Sequence, residues 1–145
     1  MRISNGLLVA TLLAATPVPS LACSCVEVGV RKSYRQADVV FAGTLVGKTQ
    51  VGGLVRYTFR VKHLYKGSAQ TDTLSVRSSG SSATCGSSFD LNTDYLIYSW
   101  FRDTKSESTS ELEPKASPIL YTGLCTRNKP ERFSTLFEKA FLAFL

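Results

Sequence analysis

The chain has 145 residues, with 17 Lys+Arg against 11 Asp+Glu, one His and four Cys. That length gives one domain and excludes a TIM barrel or a two-lobed enzyme. A hydrophobic content of 43% with 19% charged residues excludes global disorder, and a formal charge of +6 spread along the chain gives only a weak pull toward anionic partners.

The first 22 residues read as a secretory signal peptide. Met1-Arg2 supplies a positive start, Leu7 to Ala15 is an apolar run, and Pro17 and Pro19 break it. Ser20 and Ala22 then place small residues at −3 and −1 of a cut before Cys23. The run is too short to span a bilayer, and no later segment approaches that length. The expected product is a single domain, residues 23–145, secreted to the extracellular space or the periplasm, with no membrane span.

Residues 28–37 predict a short helix. Asp38 to Val46 is rich in β-branched and aromatic residues and predicts a strand, with Gly43 marking a bulge or bend. Gly47 to Gly53 reads as a hairpin loop. Val55, Tyr57, Phe59, Val61, His63 and Tyr65 alternate with mostly cationic residues, which predicts a half-buried strand. Thr71 to Arg77 gives a third strand, Ser78 to Ser88 a serine- and glycine-rich loop, and Asp94 to Phe101 a fourth strand. Arg102 to Ser117 reads as an exposed polar loop, and Pro118 to Thr122 as a fifth strand.

The period then changes. Pro130-Glu131 fits a helix start, and Phe133, Leu136, Phe137, Ala140, Phe141 and Phe144 recur at helical steps within a C-terminal helical segment, residues 128–145. This apolar stripe is expected to pack on the barrel. Five short strands in a small domain predict an all-β fold with peripheral helices: a five-stranded OB-fold-like Greek-key barrel with the C-terminal helix packed on it.

All four cysteines, Cys23, Cys25, Cys85 and Cys125, follow the cut. An even count in an exported small domain implies disulfides. A Cys23–Cys25 bridge would close a strained ring. Two pairings remain, 23–85 with 25–125 or 23–125 with 25–85, and either ties the new N-terminus to two distant places.

Cys23-Ser24-Cys25 at a free N-terminus has a definite chemistry. Side chains alternate along an extended segment, so Cys23 and Cys25 point into the domain while Ser24 points to solvent. The α-amine and carbonyl of Cys23 can chelate one metal ion in a five-membered ring. The amine's reference pKa of about 7.7–8.0 makes its deprotonation inexpensive near neutral pH. A zinc site with an open position accepts such a ligand.

Cys23-Ser24-Cys25-Val26 resembles the mature N-terminus of the tissue inhibitors of metalloproteinases (TIMPs) and the wider netrin-like module family. Gln36-Ala37-Asp38-Val39-Val40 through Gly43, Leu64-Tyr65-Lys66-Gly67, Cys85-Gly86, Asp94-Tyr95-Leu96-Ile97 and Leu120-Tyr121-Thr122 before Cys125 follow in the same order. The resemblance implies an OB-type barrel, bridges 23–85 and 25–125, and a secreted inhibitor of zinc metalloproteinases. The Cys23 amine and carbonyl would sit on the partner protease's zinc, Ser24 in its S1′ pocket and Val26 along the ridge, with Ala83 and Thr84 beside it. The chain itself would need no cofactor and would act as a monomer. It departs from the inhibitors in lacking a third bridge, in lacking their cysteine-rich C-terminal subdomain, and in its loop from Arg102 to Ser117. These departures favour the alternative of a non-inhibitory interaction or structural module of the cell envelope.

Other chemistries are poorly served. His63 has no second His beside it, the carboxylates form no glycosidase or protease signature, and Ser78 to Ser88 lacks Gly-x-Ser-x-Gly, so the chain does not read as an enzyme. Tyr57, Phe59, Tyr65, Tyr95 and Trp100 are expected in the barrel core rather than on a nucleic-acid stacking face. A lipidated Cys23 is disfavoured, because a lipobox prefers Leu at −3 and Ser20 stands there.

Overall fold

The computed structural model describes residues 23–102, 119–132 and 135–145. The expected signal peptide (residues 1–22), residues 103–117 of the expected loop, Pro118 of the expected fifth strand and Phe133 of the expected helical stripe lie outside these residues.

Alternating β-branched and aromatic residues build the sheet. Strand β1 runs Val39–Val51, β2 Leu54–Lys66, β3 Thr73–Ser79, β4 Asp94–Phe101 and β5 Leu120–Tyr121. β1 pairs antiparallel with both β2 and β4, β2 pairs with β3, β3 runs parallel to β5, and β5 pairs antiparallel with β4. The order β1-β2-β3-β5-β4 therefore returns to β1 and closes a five-stranded barrel. Helix α1 (Val30–Gln36) precedes the barrel. A two-residue strand β6 (Lys129–Pro130), which the sequence did not signal, pairs with β4 ahead of helix α2 (Leu136–Leu142).

A strand that serves two neighbours on a closed ring must coil, and β1 does so through register shifts at Val40/Phe41, Ala42/Gly43 and Leu45/Gly47. Gly43 is the tight point. A Cβ there would lie 2.6 Å from the Arg60 carbonyl oxygen, so the bend expected at this glycine is a backbone-to-backbone approach. The expected hairpin loop is shorter than the glycines suggested, because β1 continues through Gly47 to Val51.

The barrel interior holds Phe41, Leu45, Tyr57, Phe59, Tyr95 and Ile97, all buried. Phe89, which follows the serine loop, enters this core and meets Tyr57, Phe59 and Tyr95 edge-to-face at centroid distances of 4.9, 5.6 and 5.0 Å. Tyr65 and Trp100 are only half-buried, and His63 is exposed, its ring 4.5 Å from that of Tyr65. At the rim, the Asp94 carboxylate accepts from Thr44 Oγ1 (2.5 Å) and Lys62 Nζ (2.6 Å), and these bonds hold its pKa below the usual carboxylate value.

A second, smaller core lies outside the ring. Ala37, Val40, Leu96, Tyr98 and Leu142 form it, with Val30, Tyr34 and Tyr65 packed against them. It seats α1 and α2 together on one face of the barrel. Lys66 fixes the end of α1 by donating to the carbonyls of Tyr34 (2.8 Å), Arg35 (3.3 Å) and Ala37 (2.5 Å).

The C-terminal helix corrects the sequence reading in two ways. It starts at Leu136 rather than at Pro130-Glu131, and the described residues of its apolar stripe, Leu136, Phe137, Ala140, Phe141 and Phe144, stay exposed instead of packing on the barrel. Glu138 and Leu142 are its buried residues, while Phe137 is 78% exposed and Phe144 90%. The inward face is chosen by hydrogen bonding. Glu138 accepts from Arg127 Nε (2.8 Å) and Nη2 (3.1 Å) and from the Tyr98 hydroxyl (2.7 Å). A two-pronged guanidinium–carboxylate pair is directional and strong when partly desolvated, so it orients a helix of only two turns. Burial and the Glu138 contact push the Tyr98 phenol well above its ordinary pKa, so it stays protonated as the donor.

Gly43→Val should lower stability by about 1–3 kcal/mol, because the added side chain meets backbone that can move only by opening the β1–β2 ladder. Urea unfolding checks this; an unchanged midpoint would show that the bend tolerates a side chain.

Candidate functional site

The segment from Cys23 to Val28 has no regular structure and no strand partner. Its position is set by covalent and polar ties. Cys23 is bonded to Cys85 across 62 residues and Cys25 to Cys125 across 100, with Cα–Cα distances of 5.7 and 5.0 Å. Of the two pairings the residues left open, this is the one the family resemblance implied. At the end of the segment, Arg127 Nη1 donates to the Val28 carbonyl (3.0 Å). The same guanidinium holds Glu138, so one side chain ties both the N-terminal segment and α2 to the barrel.

Both loops that receive the bridges are braced. A 3₁₀ turn at Ser82–Thr84 leads into Cys85, which takes a left-handed backbone conformation with φ +60°. The Thr84 hydroxyl bonds Ser79 Oγ and Ser81 Oγ and donates to the Ser81 carbonyl. Gly86 follows where a Cβ would lie 2.0 Å from the Ser79 carbonyl oxygen, so only glycine fits under this turn. On the other side, Asn128 Nδ2 donates to Thr122 Oγ1 and Thr126 Oγ1 (both 2.6 Å), and its Oδ1 accepts from the Tyr98 amide (3.0 Å). The two loops meet where Leu124 N donates to the Cys85 carbonyl (2.8 Å).

The expected site residues Cys23, Ser24, Cys25, Val26, Ala83 and Thr84 thus gather at one place. Cys23 is half-buried, and Ser24, Val26, Ala83 and Thr84 are exposed, Val26 to 84%. Cys25 departs from the alternation argument: bonded to Cys125, it nonetheless lies exposed, so its bridge runs over the surface rather than into the domain. The arrangement is a narrow exposed ridge on a cross-linked base.

Sequence reasoning missed the bracing residues Arg127 and Asn128, and named Gly86 only as part of the family resemblance. Arg127 and Asn128 lie just past Cys125 in a stretch that carries no period, and their partners are far along the chain. The Gly directly after Cys85 was the one signal available.

A cavity of about 270 Å³ opens behind the segment, lined by Val28, Ser33, Ala37, Tyr98, Trp100 and Arg127 among others. Its one cation is committed to Val28 and Glu138, so it offers no free charge to a ligand. Among the described residues no group of three or more His, Cys, Asp or Glu side chains is placed to hold a metal ion, and no helix is long and apolar enough to cross a membrane. The chain matches no family model, and no curated protein matches it.

Replacing Cys25 and Cys125 together by Ser should lower stability by about 2–5 kcal/mol, since that bridge closes the longer loop. Guanidinium unfolding of the double variant checks this; an unaltered midpoint would mean that the ridge is held without the covalent tie.

Proposed function

We propose that the protein is an exported, TIMP-like inhibitor of zinc metalloproteinases that binds through its N-terminal ridge. The single observation that carries this reading is the double tether of Cys23 and Cys25, which leaves Ser24 and Val26 bare between and beyond two bridges. Removal of residues 1–22 would make Cys23 the first residue. Its amine and carbonyl would then chelate the partner's zinc at the open coordination position. Ser24 would enter the S1′ pocket, Val26 would lie along the primed side, and Ala83 and Thr84 would contact the other side. The zinc belongs to the protease; this chain supplies donor atoms and no catalytic group.

Preorganisation is the energetic basis of the mechanism. A flexible N-terminus loses conformational freedom when it docks, whereas two bridges and the Arg127–Val28 bond have removed most of that freedom beforehand. Chelation also requires a neutral amine, so the reading calls for binding that weakens as pH falls below the amine's titration range.

Protein beginning at Cys23 should inhibit a zinc metalloproteinase from among those with an open cleft. One Ala added before Cys23 should weaken that inhibition by at least about 100-fold, or roughly 2.8 kcal/mol, because the carbonyl and amine can no longer form the chelate. Titration of residual protease activity measures both. Equal inhibition by the extended form would refute chelation. A protease panel left fully active by the Cys23 form would overturn the inhibitor reading in favour of a non-inhibitory envelope module.

A further inference from the structure

The inverted seating of α2 leaves an apolar surface that the ridge does not use. Leu136, Phe137, Phe141, Phe144 and Leu145 are 52, 78, 45, 90 and 48% exposed. At about 100° per residue, Leu136 and Phe137 fall on the side of the helix away from Glu138 and Leu142, Phe141 lies on its flank, and Phe144 follows just past the helix end. The three Phe rings alone expose on the order of 400 Å². That is the size of the largest apolar patch on a typical monomer, roughly 300–600 Å², and here it lies on α2 and the residues just after it.

The neighbouring helix supplies the complementary property. α1 turns Val30, Ser33 and Tyr34 inward, and Arg31, Lys32 and Arg35 outward, all three exposed, with no acid in the helix. Val30 and Tyr34 pack against the same small core as Leu142, so the cations of α1 and the rings of α2 share one face. The acids of the C-terminal segment do not offset this charge. Glu138 is buried on Arg127, and Glu131 is paired with Lys139 at 2.9 Å. Asp38, just after α1, accepts from the Phe101 amide at 2.8 Å, and among the described residues Glu27 is the other exposed acid near α1.

We propose that this face docks on an anionic lipid surface, with the α2 rings entering the headgroup boundary and Arg31, Lys32 and Arg35 of α1 facing the lipid charge. Bare aromatic side chains beside a cluster of cations are the two contributions that interfacial binding needs. A second copy fits less well. Two such patches would bury roughly 800–1,200 Å² in total, at or below the lower bound of stable interfaces. Such pairing would also join two faces rich in the same charge, in a chain of net +6. The proposal does not depend on the inhibitor reading, because the ridge residues take no part in it.

Co-sedimentation of the Cys23-initiated protein with vesicles tests it. Vesicles of phosphatidylcholine with added phosphatidylglycerol should bind the protein, and phosphatidylcholine alone should bind it on the order of 100-fold more weakly, as expected for three cations at the surface. Added salt should erase the difference. Phe137→Ser with Phe144→Ser should reduce binding to both lipids at least tenfold, whereas Arg31→Gln, Lys32→Gln and Arg35→Gln together should remove only the preference for phosphatidylglycerol. All these side chains are exposed, and unchanged thermal melting would confirm that the variants fold. Absence of binding, indifference to lipid charge, or variants that bind like the parent would overturn the proposal. So would self-association in sedimentation equilibrium that the Phe substitutions abolish while vesicles bind nothing.

Discussion

Two disulfides that start two residues apart and end in two different, adjoining loops are the constraint on which the site depends. Cys23 and Cys25 belong to a segment with no strand partner and little buried surface. Without the bridges to Cys85 and Cys125 it would have no defined place. With them, the segment, the Ser82–Thr84 turn and the Gly123–Thr126 turn become one cross-linked end of the barrel. The barrel provides the rigid ends of β3, β4 and β5 from which both loops leave, and its closure through β1–β4 keeps those ends at fixed separation.

Arg127 carries the second level of organisation. It reaches the Val28 carbonyl on one side and the Glu138 carboxylate on the other, and Tyr98 completes the set from β4. These bonds hold Glu138 inward beside Leu142 and so fix which face of α2 meets the barrel. The cost is an aromatic surface left in water. The ridge and the α1–α2 face are thereby linked through one guanidinium.

Much of the fold is legible in the sequence, because the physics that writes it is local. The alternation from Val55 to Phe59 fixed which side of β2 faces inward, Gly43 marked the bend, and Asp94 to Phe101 matched β4 end to end. The residues of the ridge were legible through the cysteines, since a covalent tie needs no period. What the sequence hid was nonlocal. The turn from His63 outward follows the register shifts of β1, and Phe89 reached the core from a loop. A stripe of Phe at helical spacing predicts a packed helix only if apolar burial wins. In α2 the Arg127–Glu138–Tyr98 bonds prevailed, and no pattern within residues 130–145 could announce partners at 98 and 127.

The account depends on Cys23 becoming an unblocked first residue bonded to Cys85. Intact mass and disulfide-linked peptide mapping of the protein purified after full-length expression test this most directly. The account predicts a chain that begins at Cys23 with a free amine, joined 23–85 and 25–125. A start at another residue, an acyl group on the terminus, or a peptide joining Cys23 to Cys125 would contradict it.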